Sequence, residues 1–109
     1  MNGKGKEYYN GKLMFEGEYL NGKRNGNGKE YDHHGKLLFE GDYLNGKRNG
    51  KGKELYAGNL IFEGEYINGK RNGKGKGYFQ RKLEFEGEYY NGKRWNGKGY
   101  IKMEILNMK

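Results

Sequence analysis

Apolar and polar residues alternate from Leu13 to Leu20. Leu13, Phe15, Gly17 and Tyr19 fall on one side of an extended chain, and Met14, Glu16, Glu18 and Leu20 on the other. Successive strand side chains point to opposite faces, so this reads as a β-strand with an aromatic face. The core of the pattern, Phe-Glu-Gly-(Glu/Asp)-Tyr, starts at Phe15, Phe39, Phe62 and Phe85, at steps of 24, 23 and 23 residues. A fixed period of this size means one small unit stacked on itself. An Asn-Gly pair follows each copy, at Asn21-Gly22, Asn45-Gly46, Asn68-Gly69 and Asn91-Gly92. Asn-Gly between alternating segments predicts a two-residue hairpin turn, because both residues tolerate positive φ. Such a turn at Asn21-Gly22 predicts Leu20 opposite Lys23, Gly17 opposite Gly26 and Phe15 opposite Gly28. Rings would then lie over glycines, and a side chain at Gly26 or Gly28 would collide with them. Gly52→Val or Gly75→Val should disrupt the stack for the same reason.

The chain opens with half a unit, 2–11, that supplies one strand as a cap. Full units follow at 12–35, 36–58, 59–81 and 82–105. The links between units vary: Tyr31-Asp32-His33-His34-Gly35, Tyr56-Ala57-Gly58-Asn59 and Phe79-Gln80-Arg81-Lys82, which is how loops behave. Trp95 is inserted in the last unit and predicts a bulge or a lengthened turn. Ile101, Met103 and Ile105 alternate with Lys102 and Glu104, as a closing cap strand would. No linker or shift in composition divides 1–109, which predicts one domain.

Composition narrows the options. The hydrophobic fraction is 32%, low enough to suggest disorder. The aromatics, however, make up 16% and recur in register with the repeat. Gly accounts for 22 of 109 residues, too many for helices. There is no Cys, Ser or Thr, which excludes disulfides, thiolate metal sites and nucleophilic catalysis by those side chains. No apolar run approaches the roughly 20 residues of a helical membrane span, and the first residues lack a signal-peptide pattern. A cytoplasmic protein is expected, with a peripheral place at a membrane surface as the variant. The net charge of +8 favours contact with something anionic.

These units resemble MORN repeats. The family unit is about 23 residues: an aromatic-x-Gly-x-aromatic strand, then Gly-x-x-x-Gly-x-Gly, then a second strand. Phe39-Glu40-Gly41-Asp42-Tyr43, Gly46-Lys47-Arg48-Asn49-Gly50 and Gly52 fit that frame, as do their counterparts. Tyr19, Tyr43, Tyr66 and Tyr89 stand where the family often has Trp, and Trp95 breaks the spacing. The Gly-Lys-Leu segment looks like a bacterial variant sometimes labelled an antitoxin component. The resemblance implies an all-β fold: an elongated, single-layer, twisted antiparallel sheet of consecutive hairpins, about nine strands in all. It implies a scaffold that holds a partner or self-associates, without catalysis and without a cofactor.

Two sets of residues are candidate sites. Phe15, Tyr19, Phe39, Tyr43, Phe62, Tyr66, Phe85 and Tyr89 form an aromatic face. It serves packing, and it is also the candidate groove for a protein partner or a second copy. Apolar rows on the other side (Met14, Leu38, Ile61; Leu20, Leu44, Ile67, Tyr90) are the second candidate for that contact. Lys23, Arg24, Lys47, Arg48, Lys70, Arg71, Lys93 and Arg94 form a basic ladder that suits an anionic membrane surface; its bland role is a row of solvated turn charges. Toxin neutralisation by direct binding is a third reading, by family analogy alone. Nucleic acid is disfavoured, since packing already accounts for the rings. The carboxylate rows Glu16/Glu18, Glu40/Asp42, Glu63/Glu65 and Glu86/Glu88 repeat without a singular pocket, which points to pairing with Lys51, Lys74 and Lys98 rather than to catalysis. His33 and His34 are adjacent in one loop and make a poor metal site.

Overall fold

The computed structural model describes residues 2–99. The strands are β1 (Gly3–Tyr9), β2 (Lys12–Leu20), β3 (Lys23–Tyr31), β4 (Leu37–Leu44), β5 (Lys47–Tyr56), β6 (Asn59–Ile67), β7 (Lys70–Phe79), β8 (Lys82–Tyr90) and β9 (Lys93–Gly99). They form one antiparallel sheet in the order β1-β2-β3-β4-β5-β6-β7-β8-β9. Every connection is a hairpin, and the molecule measures 56 × 27 × 15 Å. The expected closing strand at Ile101–Ile105 lies outside the described residues.

The Asn-Gly turns take positive φ at both residues, as at Asn45 (50°) and Gly46 (88°). This is the tight hairpin turn whose twist matches that of its strands. The links between units are shorter than their sequence variety suggests. Asn10-Gly11, Ala57-Gly58 and Gln80-Arg81 have positive φ at both positions and form two-residue turns between strands. Asp32 to Lys36 is a longer loop, closed by Asp32 Oδ1 accepting from the backbone N–H of His34 and Lys36. The Asn-Gly turns are also fastened to the preceding hairpin. Gly69 N donates to Arg48 O at 2.8 Å, and Asn68 N donates to Asn49 Oδ1 at 3.2 Å. Lys-Arg-Asn after one turn thus holds the next turn in place.

The expected register holds at the turn and fails beyond it. Leu20 faces Lys23 and Tyr19 faces Arg24, but Gly17 faces Gly28 and Phe15 faces Glu30. A bulge opposite Glu18 takes up the difference, with Gly26 at φ 92°. Glu18 accepts from Asn27 N at 3.2 Å, and Glu65 accepts from Lys74 N at 2.8 Å, so each acid satisfies a backbone donor freed by a bulge. A Cβ on Gly26 would strike the Glu18 carboxylate, not a ring. The expectation for Gly28 stands: a Cβ there would lie 2.5 Å from Phe15 Cζ and 2.9 Å from Tyr43 Cε1.

The corrected register aligns Gly5, Gly17, Gly28, Gly41, Gly52, Gly64, Gly75, Gly87 and Gly97 in one row across all the strands. At Gly64 a Cβ would lie 2.5 Å from Lys74 O and 2.6 Å from Gly75 Cα. From Gly17 to Gly97 a Cβ on any glycine of this row would strike either the neighbouring backbone, as at Gly64, or a phenylalanine ring, as at Gly52. Trp95 forms a bulge, not a longer turn, as the register shift at Glu88/Tyr89 shows. One residue is extra there, where β3 has two, and this brings Gly97 rather than Gly99 into the glycine row.

Candidate functional site: the two faces of the sheet

The rings rest on the glycine row. Phe15, Phe39 and Phe62 are completely buried. Tyr19, Phe15, Tyr43, Phe39, Tyr66, Phe62, Tyr89 and Phe85 make a continuous zigzag of edge-to-face contacts, with centroids 4.8–5.8 Å apart. This is the favoured geometry for rings with opposed edge and face charge.

A polar lid covers the rings. Arg24, Arg48 and Arg71 lie 4.1, 4.1 and 4.3 Å above the centroids of Phe15, Phe39 and Phe62. Each guanidinium also donates two bonds to a carboxylate on the strand before last. Arg24 binds Glu7 at 2.8 and 3.0 Å, Arg48 binds Glu30 at 3.0 Å twice, and Arg71 binds Glu54 at 2.9 and 3.0 Å. The same carboxylates accept the hydroxyls of Tyr19, Tyr43 and Tyr66. Three strands are therefore tied at one carboxylate in each of these units. Burial opposes the charge on Glu30, yet the bonds from Arg48 and Tyr43 outweigh it and hold its pKa below the usual carboxylate range. Glu54 behaves alike through Arg71 and Tyr66. Tyr19 is pushed up to about 12, first by burial and then by its bond to Glu7.

This geometry divides the ladder read from the sequence. Arg24, Arg48 and Arg71 are half-buried, stacked and bidentate. Lys23, Lys47, Lys70 and Lys93 stand exposed at the turns. Their strand partners are Leu20, Leu44, Ile67 and Tyr90, which are 50–63% exposed. One long edge therefore carries an apolar residue beside a lysine in every unit. The eight aromatic groove candidates are the core itself, and a partner on that face would meet the Arg–Glu lid before the rings. Sequence reasoning missed Glu7, Glu30 and Glu54. The signal was present, since an acid recurs there at the repeat spacing.

The opposite face is charged and open. Glu40 stands between Lys29 and Lys53, and Glu63 between Lys53 and Lys76. Lysine-bearing and acid-bearing strands alternate in this way from β1 to β8, and Lys76 Nζ comes within 4.0 Å of Glu86. The pairing expected with Lys51 and Lys74 appears in the register, as Lys51 opposite Glu65 and Lys74 opposite Glu88. The side chain of Lys98 lies outside the described residues. Between the charged columns the glycine backbone forms the floor of a trough. Its two halves hold about 950 Å³ each. Tyr31 and Tyr78 line this face and donate to Glu16 and Glu63. Among the described residues no group of three or more His, Cys, Asp or Glu side chains could hold a metal ion. His33 and His34 remain in their loop beside Lys12, whose Nζ donates to His33 O at 3.1 Å.

A search of curated proteins returned no match. The family model for the MORN repeat matches residues 15–33, 39–60 and 62–79, over half of the chain. MORN repeats are non-enzymatic modules that generally mediate protein or membrane interactions. With its consecutive hairpins, its aromatic-x-Gly-x-aromatic strands and these matched spans, the chain belongs to the MORN repeat family.

Proposed function

We propose that this chain is a non-enzymatic scaffold that holds an extended polypeptide in the charged trough. The observation that carries this reading is the trough itself. Its floor is bare glycine backbone, its walls alternate in sign, and nothing in the described chain covers it. Neighbouring strands lie about 4.8 Å apart, so equivalent strands of successive units lie about 9.6 Å apart. A polyproline II peptide rises about 3.1 Å per residue with three residues per turn. Each of its turns then advances by close to one unit, and every third side chain meets the same pair of charges. A peptide bearing both signs at that period fits best.

The test is selection of displayed peptides on the whole chain, followed by fluorescence anisotropy with a Lys51→Glu/Lys53→Glu variant. Both lysines are exposed, so the fold should survive, which circular dichroism would confirm. Selected peptides that lose ten-fold or more in affinity, about 1.4 kcal/mol, support the reading. Peptides indifferent to the variant overturn it. Concentration-dependent mass in light scattering would instead make a second copy the occupant.

A second reading rests on the edge where Leu20, Leu44, Ile67 and Tyr90 pair with lysines. Such an edge suits an anionic membrane surface, where each Lys contributes about 1 kcal/mol. Pelleting with anionic but not neutral liposomes, weakening with salt, is the expected result. Equal pelleting with neutral liposomes would refute this reading.

A further inference from the structure

The polar lid is complete in three units and broken in the last. Glu7, Glu30 and Glu54 recur at the repeat spacing, and the equivalent position in β7 is Gly77. Tyr89 is only 3% exposed, and among the described residues its hydroxyl has no well-aligned hydrogen-bond partner. A buried hydroxyl left in this state is destabilising. A Cβ on Gly77 would lie 2.9 Å from Arg94 Nη2 and 3.0 Å from Tyr89 Oη. The two groups that grip a carboxylate in every other unit thus converge on the place where one is missing. Arg94 instead leans to Glu84, with Nη2 to Oε1 at 2.5 Å. Met14, Leu38 and Ile61 hold the corresponding place elsewhere. Glu84 occupies the arginine, and the Tyr89 hydroxyl lies close enough to the same guanidinium to raise its pKa but without a well-aligned hydrogen bond.

We propose that Tyr89 and Arg94 form a receptor for a carboxylate brought from outside the nine strands. The chemistry is that of the three complete units: one oxygen takes the tyrosine hydroxyl and the pair takes the guanidinium, with Arg94 turning away from Glu84 as the anion enters. The source that fits this chemistry is a free or partner-borne carboxylate. The proposal concerns the aromatic face and stands apart from the trough.

Thermal unfolding of the full chain in graded sodium acetate, against sodium chloride at matched ionic strength, tests it. A saturable rise in Tm specific to acetate is expected for the wild type. Gly77→Glu should complete the unit, raising Tm by about 4–8 °C and abolishing the acetate response. Tyr89→Phe should also abolish the response, without the loss of Tm that Tyr43→Phe suffers. Glu84→Gln should strengthen the response several-fold, because the competing carboxylate is gone. The proposal is overturned if the wild type does not distinguish acetate from chloride. It is equally overturned if Tyr89→Phe responds as the wild type does, since acetate would then bind elsewhere.

Discussion

Replacing Glu54 with Gln isolates the charge at the centre of one complete lid. The shape is kept and a carbonyl oxygen can still accept from Arg71. What is lost is the carboxylate that binds Arg71 at 2.9 and 3.0 Å and takes the Tyr66 hydroxyl. The side chains are only 19% and 28% exposed at Glu54 and Arg71, so water replaces little of that interaction. Hydrogen bonds to a charged group contribute about 1.5–3 kcal/mol, and the variant should lose about this much at neutral pH. For a domain of this size each kcal/mol moves Tm by about 4–8 °C. The pKa of Glu54 is lowered in the fold from 4.5. A depressed carboxylate contributes stability that is present above its unfolded pKa and lost as pH falls through the folded value. The difference between wild type and Glu54→Gln should therefore be full at pH above about 5 and vanish in stronger acid. Urea unfolding of both proteins across that range measures it. A penalty that persists unchanged in acid would show that packing, not charge, is responsible. A penalty under about 0.5 kcal/mol at neutral pH would reduce the bridge to an ordinary surface pair.

Further expectations follow from the same geometry. Gly64→Ala forces a methyl against Lys74 O and Gly75 Cα and should cost about 1–3 kcal/mol in urea unfolding. Gly69→Asn should be nearly neutral, because nothing lies within 4 Å of its Cβ and Asn accepts the left-handed conformation at φ 86°. Tyr78 is raised from 10.0 to about 12, first by burial and then by Glu63. Its folded state holds the phenolic proton more tightly, so this contribution is full below pH 10.0 and fades as pH rises towards 12. Ultraviolet titration of phenolate in wild type and Tyr78→Phe would show the late-ionising group missing from the variant. Leu44→Ser with Ile67→Ser should change stability by about 0.5 kcal/mol or less per site, since both residues are half exposed. Thermal melts would check this before either is used in a binding assay.

Local physics was legible in the sequence. The aromatic/charged alternation fixes which side of each strand is apolar, and Asn-Gly fixes the turns through positive φ, so strands and hairpins follow from residues a few places apart. The 23- and 24-residue steps place those hairpins in a single array. Tertiary structure decided the register beyond each turn. The bulge at Gly26 depends on Glu18 reaching across to a backbone N–H, and pattern alone does not count the residues a bulge absorbs. It also decided the fate of the charges. Arg48 and Lys47 are neighbours in sequence, yet one is a bidentate lid over Phe39 and the other a solvated turn charge. The difference arises because Glu30 and Tyr43 come from two other strands, 18 and 5 residues away. The missing carboxylate at Gly77 became meaningful only once Tyr89 and Arg94 were seen to converge on it, for the sequence records a glycine and only the packing shows what it leaves without an acid.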